Sequence, residues 1–159
     1  FKILDSLDRF QFWVVGRSET ESFGKEIKKL SKDIGLGRRI KFWGFVSQGR
    51  KFELLSKAHI LINPSVHEGW GLVNIEANSV GTPVVSYNSA GLVDSVKQGI
   101  SGIICQQNTP QVLAENIGKM LNDRVKYEKF QKEAISWSKN FNWEKSRKLS
   151  LKLVEKIYS

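Results

Sequence analysis

The chain has 159 residues, 40% apolar and 26% charged, with 25 Lys and Arg against 16 Asp and Glu for a formal net charge of +9. That is enough for one domain with a real hydrophobic core and too little for two, and no apolar run approaches the roughly 20 residues that span a bilayer. Cys105 is the only cysteine, which excludes an internal disulfide, argues against a cysteine-based metal site and points to the cytoplasm.

The opening "FKILDSLDRF" has no signal-peptide core and no initiator methionine, and it reads as the middle of a helix in a chain cut from something longer. "FQFWVVG" (Phe10 to Gly16) is a short β-rich run ending in glycine. After a polar stretch, Phe23, Ile27, Leu30 and Ile34 recur at helical spacing, and Gly35 or Gly37 can close that helix. "RIKFWGFV" predicts the next strand, "SQGRKFELLSKA" a helix, and "HILINPS" a strand stopped by Pro64. A helix is expected from about Gly71 to Val80, then a turn and strand in "GTPVVSY", a short helix in "GLVDSVKQG" and a last strand in "SGIICQ". From Pro110 onward the chain reads as two or three helices.

Five short strands alternating with helices predict an α/β domain, with a mainly parallel Rossmann-like sheet and helices on both faces. The expected division is one such domain over residues 1–140, with 141–159 as its C-terminal amphipathic helix. Gly35-Leu36-Gly37 is not a dinucleotide loop, because it ends a helix instead of opening one.

In open α/β sheets ligands gather at the carboxyl ends of strands, which directs attention to "NPSVHEGWGLVNIEANSVGTPVV", Asn63 to Val85. Gly69 and Gly71 lack Cβ atoms and would let a ligand approach the backbone, while the amides opening the next helix favour an anion. On a helical wheel Leu72, Val73, Ile75, Ala77 and Val80 share a broad apolar face with Glu76 in its middle, and Asn74 and Asn78 lie opposite. A buried carboxylate needs partners. A ribose diol could supply them, as could backbone donors or a buried Lys or Arg. For Glu68 a helix-capping role is the alternative to a ligand contact.

The order Glu-Gly-aromatic-Gly, a second Glu after seven intervening residues, then Gly-Thr-Pro-Val-Val resembles the E-x7-E signature of the retaining GT-B glycosyltransferases, the glycosyl transferase group 1 family. "VVG", "RIKFWGFVS" and "AGLVDSVKQGISGII" flank it in the family's order. The resemblance implies the C-terminal half of a GT-B fold, the domain that binds a nucleoside-diphosphate sugar. It implies that Glu76 holds the ribose hydroxyls and that Glu68 contacts the donor sugar near the reacting carbon as the catalytic residue. Backbone amides of Gly69, Trp70, Gly71, Leu72 and Val73 would face the sugar and pyrophosphate. Gly44, Phe45 and Val46 would seat the nucleobase, with Gly16 and Arg17 at the same rim. The reaction expected is glycosyl transfer with retention, without a cofactor or metal.

Three positions depart from the pattern: His59 for a frequent aspartate, Asn78 for a frequent methionine and Ala90 for a frequent glycine. The first two read as structural. His67 reads as a variable loop residue. The family's first strand, carrying a Gly-Arg and then a lysine that clamp the pyrophosphate, finds no counterpart before "FKILDSLDRF". The N-terminal acceptor-binding domain is likewise expected to lie outside these residues. Without that strand the sheet should show an exposed edge or an unusual pairing, and these residues alone should bind donor weakly and transfer nothing.

In "NWEKSRKLSLKLVEKIYS", Trp143, Leu149, Leu151, Leu153, Val154, Ile157 and Tyr158 share one face, opposite Lys145, Lys148, Lys152, Glu155 and Lys156. A helix packed on a protein core is the first expectation, with the family's last helix often crossing to the other domain. A peripheral contact with a membrane surface is the alternative. The positive balance suits anionic partners, and scattered lysines that merely aid solubility are the plain reading of most of it. The expected partners are the nucleotide sugar, the acceptor-binding domain and a lipid-linked or saccharide acceptor. Two other functions compete: a sugar-nucleotide-binding module without chemistry, and a basic nucleic-acid-binding domain suggested by "KFWGF". The last ranks lowest, so nucleic acid is not an expected partner.

Overall fold

The computed structural model describes residues 10–158; the helix expected for "FKILDSLDRF" falls almost wholly outside them. The chain divides into two compact units, Phe1–Glu53 and Leu54–Ser159.

In the first unit, β1 (Phe12–Val15) pairs in parallel with β2 (Ile40–Gly44), and the register slips by one residue between Val14 and Val15. The crossover is α1 (Glu21–Asp33). Thr20 starts it, its hydroxyl accepting the Phe23 N–H at 3.2 Å, and Gly35 leaves it at φ +76°, a left-handed turn suited to glycine. Trp13 and Trp43 meet edge to face at 6.0 Å, and Lys41 and Arg50 stand 3.7 and 4.7 Å from the Trp43 ring centre. The periodicity that predicted α1 is present, yet Phe23, Leu30 and Ile34 are about half exposed. α2 (Gln48–Lys57) follows.

In the second unit, β3 (Leu61–Asn63), β4 (Val84–Ser86) and β5 (Gly102–Ile104) form a parallel sheet in that order. Between and after them come α3 (Leu72–Ser79), α4 (Leu92–Ser95), α5 (Pro110–Leu121), α6 (Arg124–Ser138) and α7 (Trp143–Tyr158). Val84 and Val85 on β4 are both fully buried, as expected of a parallel strand covered on both faces. Leu55, Ala77, Val84 and Val96 make the core, with Leu61, Val80 and Ile104 against it. α6 packs along α3 and buries Phe130 and Ala134. Cys105 is fully buried, and burial pushes its thiol pKa up, so it is an inert part of this core.

The elements are the α/β, Rossmann-like set expected, in the expected order, and every described strand pairing is parallel. Among the described residues the strands pair as β1–β2 and as β3–β4–β5.

Candidate functional site

β3 ends at Asn63, and the chain then turns through Pro64–Trp70 before entering α3 at Gly71. Serine hydroxyls pin this loop. Ser65 Oγ donates to His67 O at 2.8 Å, and Ser89 Oγ, from the loop after β4, donates to Ser65 O at 2.6 Å. The two loops touch through bare backbone: a Cβ on Gly91 would stand 2.5 Å from Glu68 O and 2.7 Å from Gly69 O. Gly91 also has φ +81°, so both its conformation and its neighbours demand glycine.

Trp70 is fixed by a different device. Its ring lies 4.9 Å from Phe141, which lies 5.1 Å from Trp137, and Trp137 Nε1 donates to Ser95 O at 3.0 Å. The Trp70 side chain therefore anchors the loop to the end of α6. What the loop has left to offer a ligand is its backbone and the exposed side chains of His67 and Glu68.

α3 opens differently from the helices with capping side chains. Thr20, Thr109 and Asp123 each accept an amide of their own first turn. Gly71, at φ +77°, has no side chain to do so. The Asn74 amide donates to Gly71 O at 2.9 Å; no side chain caps the amides of Leu72 and Val73, where the helix dipole favours a negative acceptor. Gly71 itself does not make room for a ligand as expected. A Cβ there would meet Asn74, Leu92 and Ser95 at 2.8–3.0 Å, so this glycine serves packing and the left-handed turn. Around a Cβ on Gly69 no heavy atom lies within 4 Å, which keeps that position open to a ligand.

The buried face of α3 is not the one the wheel gave. Asn74 and Asn78 are fully buried, Leu72 is 69% exposed, and the half-buried Glu76 lies roughly opposite Asn74 around the helix and not in the middle of its buried face. The reason is hydrogen bonding. Asn74 Oδ1 accepts from Asn63 Nδ2 at 3.0 Å while its Nδ2 donates to Ser95 Oγ at 2.9 Å. Asn78 Nδ2 donates to Thr82 O and Ser101 O, both at 3.1 Å. An amide that finds partners inside the protein can be buried, even with Asn78 Oδ1 left without one, and a wheel that scores every Asn as polar assigns it to the wrong side. Asn63, Asn74 and Ser95 together tie the end of β3, the first turn of α3 and α4 beneath the loop. Sequence reasoning missed all three, along with Ser89, Gly91 and the Trp137–Phe141 pair.

In the first unit the ends of β1 and β2 are brought together. Gly16 N–H donates to Gly44 O at 2.8 Å, and the Arg17 guanidinium lies 4.7 Å from the centre of the Phe45 ring. Phe45 is 70% exposed, and Gly44 has φ +65°. Val46 is half-buried. An exposed ring backed by a cation is a surface on which a flat aromatic group can stack. Of the two departures read as structural, Asn78 is the buried amide just described, and His59 takes part through its backbone, whose O accepts the Tyr127 hydroxyl at 3.0 Å. Ala90 is exposed, and the close approach belongs to Gly91 beside it.

The sequence profile of the glycosyl transferases group 1 matches residues 1–137. The D-inositol 3-phosphate glycosyltransferase of Streptomyces griseus is 30% identical over 118 residues, 74% of this chain and 25% of that protein. Sucrose-phosphate synthase from Thermosynechococcus elongatus superposes with a TM-score of 0.86 at 25% identity, over 99% of this chain and 41% of the other. The Anabaena protein HepE in complex with UDP gives 0.82 at 23%, over 96% and 44%, a likeness of fold. The chain spans 25% to 34% of the length of the curated relatives it matches.

Proposed function

The chain belongs to the group 1 glycosyl transferases, and we propose that it binds the donor, a nucleoside-diphosphate sugar, for transfer of the sugar to an acceptor with retention at the anomeric carbon. The observation that carries this reading is the uncapped start of α3 at Gly71, set beside a rigidly held loop that presents Glu68 and the open backbone of Gly69. A diphosphate is the anion such amides suit, and they would stabilise the charge that grows on it as the glycosidic bond breaks. UDP in the complex of HepE, a protein of the same fold, supports a nucleoside diphosphate as the leaving group.

In this reading Glu76 accepts the two ribose hydroxyls and Glu68 contacts the sugar at the reacting carbon. The Gly44–Val46 segment, with Gly16 and Arg17, takes the nucleobase. The acceptor, a saccharide or lipid-linked group, is bound by a part of the protein beyond these residues, and the chemistry is assigned no metal.

Calorimetric titration with UDP tests the assignment. Glu76→Gln should weaken binding by about 1.5–3 kcal/mol, the worth of a hydrogen bond to a charged group. Equal affinity would remove Glu76 from the site, and no UDP binding by the parent would count against the nucleotide reading itself.

A further inference from the structure

The loop after β3 is held unevenly. Serine hydroxyls secure its first half, at Ser65 and His67. In its second half Glu68 and Gly69 are exposed, and a glycine beside the carboxylate adds backbone freedom that has to be frozen from outside. Two supports do this. On one side the bare backbone of Gly91 lies against Glu68 O and Gly69 O. On the other, the half-buried Trp70 ring meets Phe141 edge to face at 4.9 Å, with the planes at 66°.

Phe141 is not free to follow the loop. Its N–H donates to Ser138 O at 3.0 Å, which closes a tight turn after α6. Its ring meets Trp137 at 5.1 Å and 75°. Trp137 is fixed in turn, because its indole N–H donates to Ser95 O at 3.0 Å. Ser95 serves the other support as well: its hydroxyl donates toward Gly91 O at 3.3 Å and accepts from Asn74 Nδ2 at 2.9 Å. Both supports of Glu68 therefore meet at one residue of α4. The nucleotide side of the site is built otherwise. Glu76 and the amides of Leu72 and Val73 belong to α3, which the Asn63–Asn74–Ser95 bonds hold from beneath without the three rings.

We propose that Phe141, seated on Trp137, is a positioning residue for the donor sugar: through Trp70 it fixes Glu68 and Gly69 against the sugar and adds little to the grip on the nucleotide. The inference rests on the donor reading above. Its test is calorimetric titration of the 159-residue chain with UDP and with UDP-glucose, UDP-galactose and UDP-N-acetylglucosamine, the tightest of the three serving as the probe. Phe141→Leu should weaken the probe about tenfold, the upper end of what one aromatic contact is worth, and leave UDP within about twofold. Phe141→Tyr keeps the ring and should restore parental binding of both. Trp137→Phe keeps an aromatic ring, loses the bond to Ser95 O, and should show the same split at about fivefold. Without any ligand, amide hydrogen exchange at Gly69 to Gly71 should quicken in Phe141→Leu and stay unchanged in β4. Equal losses for UDP and probe would mean general loosening and overturn the proposal. So would no loss for either, no rescue by Phe141→Tyr, or unchanged exchange in the loop. A parent that binds UDP but no sugar nucleotide more tightly also overturns it, since no held sugar is left to position. Absence of UDP binding by the parent overturns the donor reading, and this inference with it.

Discussion

At the scale of single residues, Glu68 and Asn74 sit six positions apart and should fail in opposite ways. Glu68 is exposed and gives the fold little, so Glu68→Ala should leave the melting temperature unchanged. If it contacts the donor sugar, its loss removes a charged hydrogen bond of about 1.5–3 kcal/mol, or about 10- to 100-fold in turnover at saturating donor. Asn74 is fully buried and bonded at both ends of its amide. Asn74→Leu strands the Asn63 amide, which should cost about 1–3 kcal/mol in chemical denaturation. It should weaken donor binding only through the loop it supports. Unchanged turnover in the first variant, measured in a transfer-competent form of the protein, removes Glu68 from catalysis. Unchanged stability in the second removes Asn74 from the framework.

At the scale of elements, the loop after β3 holds its shape through the bare backbone of Gly91, and two glycines separate support from contact. Gly91→Ala drives a methyl group to 2.5 Å from Glu68 O at φ +81°, so the loop must move. Its cost should exceed the ~1 kcal/mol scale of ordinary glycine-to-alanine changes, with weaker UDP binding alongside. Gly69→Ala meets no heavy atom within 4 Å and should leave stability unchanged. If the donor lies over that backbone, UDP-sugar binding falls all the same. A Gly69→Ala variant that binds as the parent does would move the ligand away from this turn.

What was legible in the sequence divides along the same line. Strand and helix order was readable because β-branched and aromatic runs alternate with 3.6-residue patterns, and Gly35 and Pro64 punctuate them. The loop carrying Glu68 could be placed because strand ends are where α/β sheets expose backbone. The buried side of α3 was not readable. Asn74 and Asn78 are buried by partners 11 to 23 residues away, and no local pattern encodes a hydrogen bond to Ser95 or Ser101. Trp70 was readable as an aromatic between glycines, but its stacking on Phe141 was not, for the same reason.

At the scale of the whole molecule, the question is whether these 159 residues are enough for chemistry. They account for 25% to 34% of the curated relatives' length and 41% to 44% of the solved structures compared. In the proposed reading the phosphates and the ribose rest on the α3 amides and Glu76, which lie in the second unit. Transfer needs more: an acceptor held within bonding distance of the anomeric carbon, with water kept out. A further requirement concerns the leaving diphosphate. The amides of α3 supply partial charge, whereas the resemblance assigns full cations to this role. The expected behaviour is therefore weak UDP binding and no glycosyl transfer when the chain is incubated with a panel of nucleotide sugars and simple saccharide acceptors. Product formation by these residues alone would show that the donor side carries both the cationic groups and the acceptor site, and would overturn this placement of both.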